Sequence, residues 1–546
     1  MNTEKCTSWV ERDKKVMAPT QHLSYFPLVV ESGKGSIIRD LDGNEYIDFL
    51  SSASSLNLGT CNDHVKAAVE EQLKKYSQYT IAYTYNIPAI EYAERLVSTY
   101  PGDVKAKILF GNCGSDGNDA AVKFARAFTG RTKIITFING YHGNTYGSSS
   151  MTTVTTRMRK KMGPFLPEIY PFPFFGSDTP DDVCEKECLK EMQRAFDTYL
   201  PADDVAAVII EPVQGDGGLI PAHPIFMKKL HELCQKHGIL FISEEVQQAF
   251  YRTGKMYGIE HYDIVPDGII LGKSVGAGLT LGAFMAREEI MDCLPAPAHL
   301  FTLGGNALAC SAGIAAFDYM HTEEFQNILK TNCEILQESF AMLKEKHGNI
   351  ISTTNGLGMS CGIGIVKTNA DGTKEPDLDG TFKILYRAYE KGLLVISVAG
   401  NILRIQPPLN IEHDLFHKAF AILDEAMADY EAGNIPDDVC CSSRMAGNTD
   451  FTREKQFKLL SFLVCRGHRN LSPAFSLPHF YSGNYKITHR NMQAKRLLIL
   501  IKLAESPQYI FPDYKIAASL SNGLLAKSMV IFTCFFQKNS HSTDGF

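Results

Sequence analysis

Five short segments hold side chains that could do chemistry together: GNCGSDGN (residues 111–118), NGYHGN (139–144), EPVQGDGG (211–218), EEVQ (244–247) and GKSVGAG (272–278). Gly114 and Ser115 offer backbone N–H groups and a hydroxyl to an anion, provided a helix starts there, because the N-terminal end of a helix is its positive end. Lys273 follows an apolar run and precedes small residues, so its amine should lose hydration. Desolvation lowers an amine's pKa and frees it for Schiff-base chemistry. Glu244 closes the run ILFIS, and a carboxylate at that depth needs a cationic partner, a role a protonated ring nitrogen would fill. Tyr141 and His142 can lay an aromatic face against a planar ring. Taken singly, each has a plainer reading: an ordinary serine cap, a lysine at a strand end, core aromatics. Glu245 reads as the plainer member of its pair, facing solvent or paired with Arg252 or Lys255 in RTGK.

The elements that must position these residues are equally visible. Each segment follows a short apolar run, KILF, KIITFI, AAVII, ILFIS or GIIL, and a sixth run, LGAFMA, comes after them. The stretches AAVKFARAF and FMKKLHELCQKHG have helical spacing and end at Gly130 and Gly238, which suit a left-handed C-terminal cap. Strand-length runs alternating with helices predict an α/β fold, with a mostly parallel central sheet covered by helices on both faces. Ligands of such sheets sit beyond the carboxyl ends of the strands, where all five segments fall. An anion cradle, an aromatic, a carboxylate and a lysine in that order at strand ends describe a site for pyridoxal 5'-phosphate.

Composition narrows the alternatives. The chain has 546 residues, 45% hydrophobic and 21% charged, too long for a disulfide scaffold and too apolar for disorder. Its net charge of −7 is unevenly spread: residues 441–546 hold 14 Lys and Arg against 5 Asp and Glu, a net +9, which leaves −16 on residues 1–440. An acidic body offers no basic groove for nucleic acid. The 14 cysteines are scattered without a CxxC pair, which points to a reducing compartment. With no signal peptide in MNTEKCTSWVERDKKV and no apolar run of membrane-spanning length, a cytoplasmic location and no membrane partner are expected. The expected organisation is an N-terminal segment (1–60) belonging to a small domain, a large domain (61–310) and a smaller α+β domain (311–440). A basic tail (441–546) follows, with irregular apolar clusters such as RLLILIKL and MVIFTCFF and no assignable fold.

Over roughly residues 25 to 435 the chain resembles the class-III aminotransferases of fold type I, the pyridoxal-phosphate enzymes that include 4-aminobutyrate and ornithine aminotransferases. DLDGNEYIDF, GNCGSDGNDAAVKFARAFTGR, YHGNTYG, IIEPVQGDGG, EEVQQAFYRTGKM, PDGIILGKSVGAGLTLGA and TLGGNALAC carry the resemblance. It implies that Lys273 holds the cofactor covalently and then shuttles the proton, and that Gly114 and Ser115 take the phosphate. It also implies that Tyr141, beside His142, stacks on the ring, that Gln247 touches the phenolic oxygen and that Glu244 faces the pyridinium nitrogen. Thr302 in FTLGGN matches a threonine offered to the neighbouring subunit's phosphate, which implies a homodimer or dimer of dimers with shared sites. Arg404 matches the arginine that grips a substrate carboxylate, and Asp216 the acid that covers that arginine when the substrate lacks one. The implied reaction moves an amino group from an amino acid to a 2-oxo acid.

Three departures bear on that implication. Glu244 stands where the family usually has aspartate, Asn144 stands where members acting on ω-amino acids often have arginine, and NLGTCNDHV lacks the family's His-x-His-Pro. SASS (52–55), LPADD, APAHLF and AGNILRIQPPL resemble the isoleucine 2-epimerase group of the same family. That group implies an alternative, epimerisation of hydrophobic, branched-chain amino acids, with Asp216 as the acid opposite Lys273. A third reading is a weakened cofactor-binding protein without turnover.

Overall fold

The computed structural model describes residues 1–437; the basic tail lies outside them. A seven-stranded sheet forms the centre, in the order Ala106–Gly111, Gly282–Arg287, Gly268–Leu271, Leu240–Glu244, Val205–Ile210, Lys133–Phe137, Ile169–Phe172. Gly282–Arg287 runs antiparallel to both its neighbours, and the other strands share one direction. All six apolar runs are strands of this sheet, with LGAFMA as the reversed one. A seventh strand, Ile169–Phe172, sits at the edge, where a half-exposed strand with a proline at its third position gives no continuous apolar run.

The inner strands read as unbroken apolar runs because both their faces are covered. Every residue of Val205–Ile210 and of Leu240–Glu244 is buried. On one face the helix Gly114–Thr129 lays Ala120, Ala121 and Ala125 against the sheet. Gly130 (φ 69°) ends it and Gly238 (φ 61°) ends the helix Pro224–His237, each in the left-handed conformation the sequence predicts.

The two ends of this body meet. The strands Val30–Lys34, Ile37–Asp40 and Glu45–Asp48 form an antiparallel meander, and Leu393–Leu394 joins it in parallel beside Glu45–Asp48. A second antiparallel sheet follows the order Ile351–Leu357, Ser360–Thr368, Ile402–Ile405, Ile396–Val398, with the long helices Glu323–Lys346, Leu378–Glu390 and His413–Glu431 beside it in sequence. Between the meander and the central body the chain makes a turn of opposite hand. Ser51, Ser52, Ala53 and Ser54 have φ of 47°, 47°, 58° and 64°. Four consecutive non-glycine residues in this region are costly, roughly 1–2 kcal/mol each. Asp48 anchors the entry by accepting the N–H groups of Leu50 and Ser51 at 2.8 and 2.9 Å. At the exit, the Ser54 carbonyl accepts the Ser274 hydroxyl at 2.8 Å, and the Ser54 hydroxyl donates to Gln406 at 2.7 Å.

No helix among the described residues is long and apolar enough to cross a membrane, and no group of three or more potential metal ligands gathers among them.

Candidate active site

Beyond the carboxyl ends of the parallel strands lies a cavity of about 370 Å³, and Gly114, Ser115, Tyr141, His142, Asp216, Glu244, Gln247 and Lys273 all line it. Eight of the ten residues singled out in the sequence therefore share one pocket. Arg404, itself buried, is tied to the pocket by an ion pair with Asp216 at 3.3 Å. Thr302 does not join them. It is exposed on this chain, and its carbonyl accepts the Gln78 side-chain amide at 3.1 Å.

The floor is an anion cradle built by close packing. Cys113 precedes the first helical residue and Gly114 begins the helix. A Cβ on Gly114 would stand 2.7 Å from both methyl groups of Val246, and one on Gly143 would stand 2.1 Å from the Ser115 hydroxyl. Only glycine lets these three segments converge. The Asn144 N–H donates to Ser115 Oγ at 3.2 Å, which closes the loop over the helix start.

The walls hold titratable groups away from water. Lys273, with its backbone at φ 46°, is half-buried, and desolvation lowers its pKa while the Asp216 carboxylate pulls the other way. Glu244 Oε1 accepts from Asn118 at 3.1 Å and Oε2 from the Val246 N–H at 3.3 Å. Burial raises its pKa to about 7, against the pull of the Lys273 charge. His142 Nδ1 finds no hydrogen-bond partner and lies 4.0 Å from Glu244 Oε1; burial depresses its pKa to about 4.

Glu245 departs from its sequence reading. It neither faces solvent nor pairs with Arg252 or Lys255. It is fully buried and accepts the Ser243 hydroxyl at 2.9 Å and the N–H groups of Gly258 and Ile259 at 2.8 Å each. Backbone donors at the start of the turn Gly258–Tyr262 do the work a cation was expected to do. Arg252 instead bonds Asn57 and the carbonyls of Met359 and Pro407, and Lys255 bonds the Glu260 carbonyl.

Several site residues were not singled out from the sequence. Glu211 immediately follows the strand Val205–Ile210, whereas Glu244 is the last residue of its own strand. Its Oε1 accepts the Tyr141 N–H at 2.9 Å and its Oε2 the Gly215 N–H at 3.0 Å, which ties the loop carrying Tyr141 to the loop carrying Asp216. Burial, reinforced by the Glu244 charge, raises its pKa to about 8. It opens the segment EPVQGDGG, so its place after an apolar run was signal enough to find it. Asn118 lies one helical turn after Gly114 and so faces the same site. Gln406 lies two residues after Arg404, on the same side of an extended chain. Tyr25, whose hydroxyl donates to the Ser397 carbonyl at 2.8 Å, carries no periodic signal.

The residues present fit pyridoxal phosphate. A glycine cradle at a helix start meets a phosphate, and a carboxylate whose protein partner is a neutral amide is left to meet a ring cation. A desolvated amine lies across the same cavity. The class-III aminotransferase family model matches residues 17–427. The chain belongs to the class-III aminotransferases. Members of this family depend on pyridoxal phosphate, and so does this chain. The class-III relatives include isoleucine 2-epimerase of Lentilactobacillus buchneri, 38% identical over 439 residues, covering 79% of this chain and 97% of that protein. The leucine/methionine racemase of Thermococcus litoralis is 35% identical over 436 residues, covering 79% and 97%. Among solved structures, a transaminase from the marine bacterium Virgibacillus superposes with a TM-score of 0.71 at 25% identity, covering 78% of this chain and 99% of that one.

Proposed function

We propose that this class-III enzyme transfers the amino group of a hydrophobic α-amino acid to a 2-oxo acid. The observation that carries this reading is the carboxylate-binding device beside the pocket, Arg404 paired with Asp216 at 3.3 Å. Both substrates of such a reaction carry one carboxylate beside the reacting carbon, and one guanidinium serves them in turn. Asn144 puts no cation where a distal carboxylate would lie; its amide donates to the Tyr141 hydroxyl at 3.2 Å. Val246, Leu279 and Leu281 line the cavity and suit an apolar side chain.

When bound, pyridoxal phosphate supplies the electron sink that makes an α-proton acidic. The chain supplies the rest. Gly114 and Ser115 would hold the phosphate, Tyr141 would lie against the ring, Gln247 would bond the phenolic oxygen and Glu244 would pair with the ring nitrogen. Arg404 orients the substrate so that its Cα–H bond faces Lys273, whose amine takes that proton as a general base.

A second reading is 2-epimerisation of hydrophobic amino acids. It is favoured by the 38% identity to an isoleucine 2-epimerase and by the position of Asp216. Both reactions begin with proton removal by Lys273. Epimerisation then needs a donor on the opposite face of Cα, and Asp216 is the acid nominated for it. Incubation with L-isoleucine, with and without 2-oxoglutarate, separates the readings. Keto acid that appears only with the acceptor supports transfer, whereas a 2-epimer formed without acceptor supports epimerisation. Absence of both would sink both in favour of a protein that binds the cofactor without turnover. Asp216→Asn should abolish α-carbon deuteration with inversion if the second reading holds.

The proposal extends to a homodimer in which Thr302 reaches the partner's phosphate. Gln78 bonds both Thr302 and Asn306, and the chain around it exposes Tyr79, Tyr83, Tyr85 and Ile87 at 63%, 86%, 93% and 69%. A contiguous apolar and aromatic exposure of this kind marks an interface. The ten free cysteines among the described residues support a reducing, cytoplasmic setting.

A further inference from the structure

Gln406 is fully buried, and its side-chain amide uses its whole hydrogen-bonding capacity. Oε1 accepts from the Ser54 hydroxyl at 2.7 Å and, in a short bond, from Nε of Arg404. Nε2 donates to the Ser360 hydroxyl at 2.9 Å and, in a long bond of 3.4 Å, to Oε1 of Gln247. Ser360 in turn donates to Gln248 at 2.8 Å. One amide thus joins Arg404, Gln247 and the left-handed turn.

The way it grips Arg404 has a chemical meaning. It takes the guanidinium by Nε, which leaves the far edge, Nη1 and Nη2, for other partners. Nη1 meets Asp216 at 3.3 Å, and Nη2, although buried, meets no acceptor. A carboxylate bound bidentately needs such an edge. The two partners also differ in permanence: the Asp216 side chain is 32% exposed against 4% for Arg404, so Asp216 can swing away, while Gln406 cannot. Were the buried partner an acid, it would neutralise the guanidinium for good. A neutral amide fixes the position and leaves the charge available.

We infer that Gln406 is a positioning residue for carboxylate recognition, a neutral anchor that presents the outer edge of Arg404 to the substrate and links it to the cofactor-facing Gln247. The inference rests on the reading of Arg404 as the carboxylate ligand.

The test compares Gln406→Glu and Gln406→Met with Arg404→Met in the cofactor-loaded protein. The probes are 4-methylpentanoate, a carboxylate without an amine, and 3-methylbutylamine, an amine without a carboxylate. Binding is read from the cofactor's absorbance and from calorimetry, and the fold is checked by melting temperature and near-ultraviolet circular dichroism. Gln406→Glu should weaken 4-methylpentanoate by about tenfold or more, the size of one hydrogen bond to a charged group, and leave 3-methylbutylamine unchanged. Gln406→Met should weaken the carboxylate to a smaller extent, since it frees the guanidinium without neutralising it. If both Gln406 variants bind the carboxylate as the wild type does while Arg404→Met does not, the inference is overturned and the reading of Arg404 stands. If Arg404→Met also binds normally, that reading falls and takes the inference with it. Equal weakening of the amine and the carboxylate would show a general loss of the pocket and would also overturn it.

Discussion

Lys273, half-buried, and Glu245, fully buried, illustrate two ways a desolvated ionisable group is managed, and each leads to a measurement. Lys273 has no fixed acid at bonding distance among the described residues, and its amine is kept reactive by dehydration. Lys273→Ala should lower turnover by about 10³-fold or more, a typical contribution of a positioned base that also acts as nucleophile, with a melting temperature within a few degrees of the wild type's. Retention of more than a tenth of the activity would remove it from the mechanism. Glu245 has its needs met by three donors, yet burial still raises its pKa from 4.5 to about 8. The folded state therefore holds its proton more tightly than the unfolded chain, so the stability this proton confers is complete below pH 4.5 and disappears as pH rises through about 8. Melting of the cofactor-free protein should weaken across that window, and Glu245→Gln should flatten the slope. Parallel slopes in the two proteins would contradict the assignment.

At the scale of elements, the cradle depends on three chain segments approaching at backbone distance. Gly114→Ala forces a methyl against Val246, and Gly143→Ala forces one against Ser115 at a φ of 129°. Each should raise the Kd for pyridoxal phosphate by about tenfold or more, the cost of overpacking a tight site being roughly 1–3 kcal/mol; equilibrium dialysis measures it. Unchanged affinity in both variants would mean that the phosphate lies elsewhere. The strands and their glycine-capped helices were legible in the sequence because parallel strands are buried on both faces and leave unbroken apolar runs. The residues after those runs were legible because chemistry collects at strand ends. What escaped was set by contacts distant in sequence. Nothing near Glu245 announces that the N–H groups of Gly258 and Ile259 will satisfy it. The role of Gln406 depends on Ser54, 352 residues away. The left-handed turn has no glycine to signal it.

For the whole molecule, the sign of the charge separates two parts of the chain. The family match ends at residue 427, and every site residue lies within it, in the −16 portion. A protein of residues 1–440 should therefore keep its cofactor and its activity within about twofold, as expected when surface changes leave the core alone. Loss of cofactor binding on truncation would make the basic tail part of the enzyme. The exposed tyrosines make a second prediction at this scale: Tyr83→Asp with Tyr85→Asp should shift the sedimentation coefficient to that of a monomer and weaken pyridoxal phosphate in parallel. A dimer that survives both changes would place the interface elsewhere.

The turn of opposite hand at Ser51–Ser54 also bears on when the site is completed during synthesis. It is costly in isolation, and although Asp48 holds its entry, the bonds that hold its exit come from Ser274 and Gln406, 220 and 352 residues downstream. Its neighbouring strand waits for Leu393. A ribosome releases the N-terminal residues first, so the turn that leads into Ser55, a residue lining the pocket, emerges early and locks late. Between the synthesis of Val246 and that of Gln406 the nascent chain thus has the parts of the cradle without the last partner of this turn, and a cofactor that binds in that interval enters an open site.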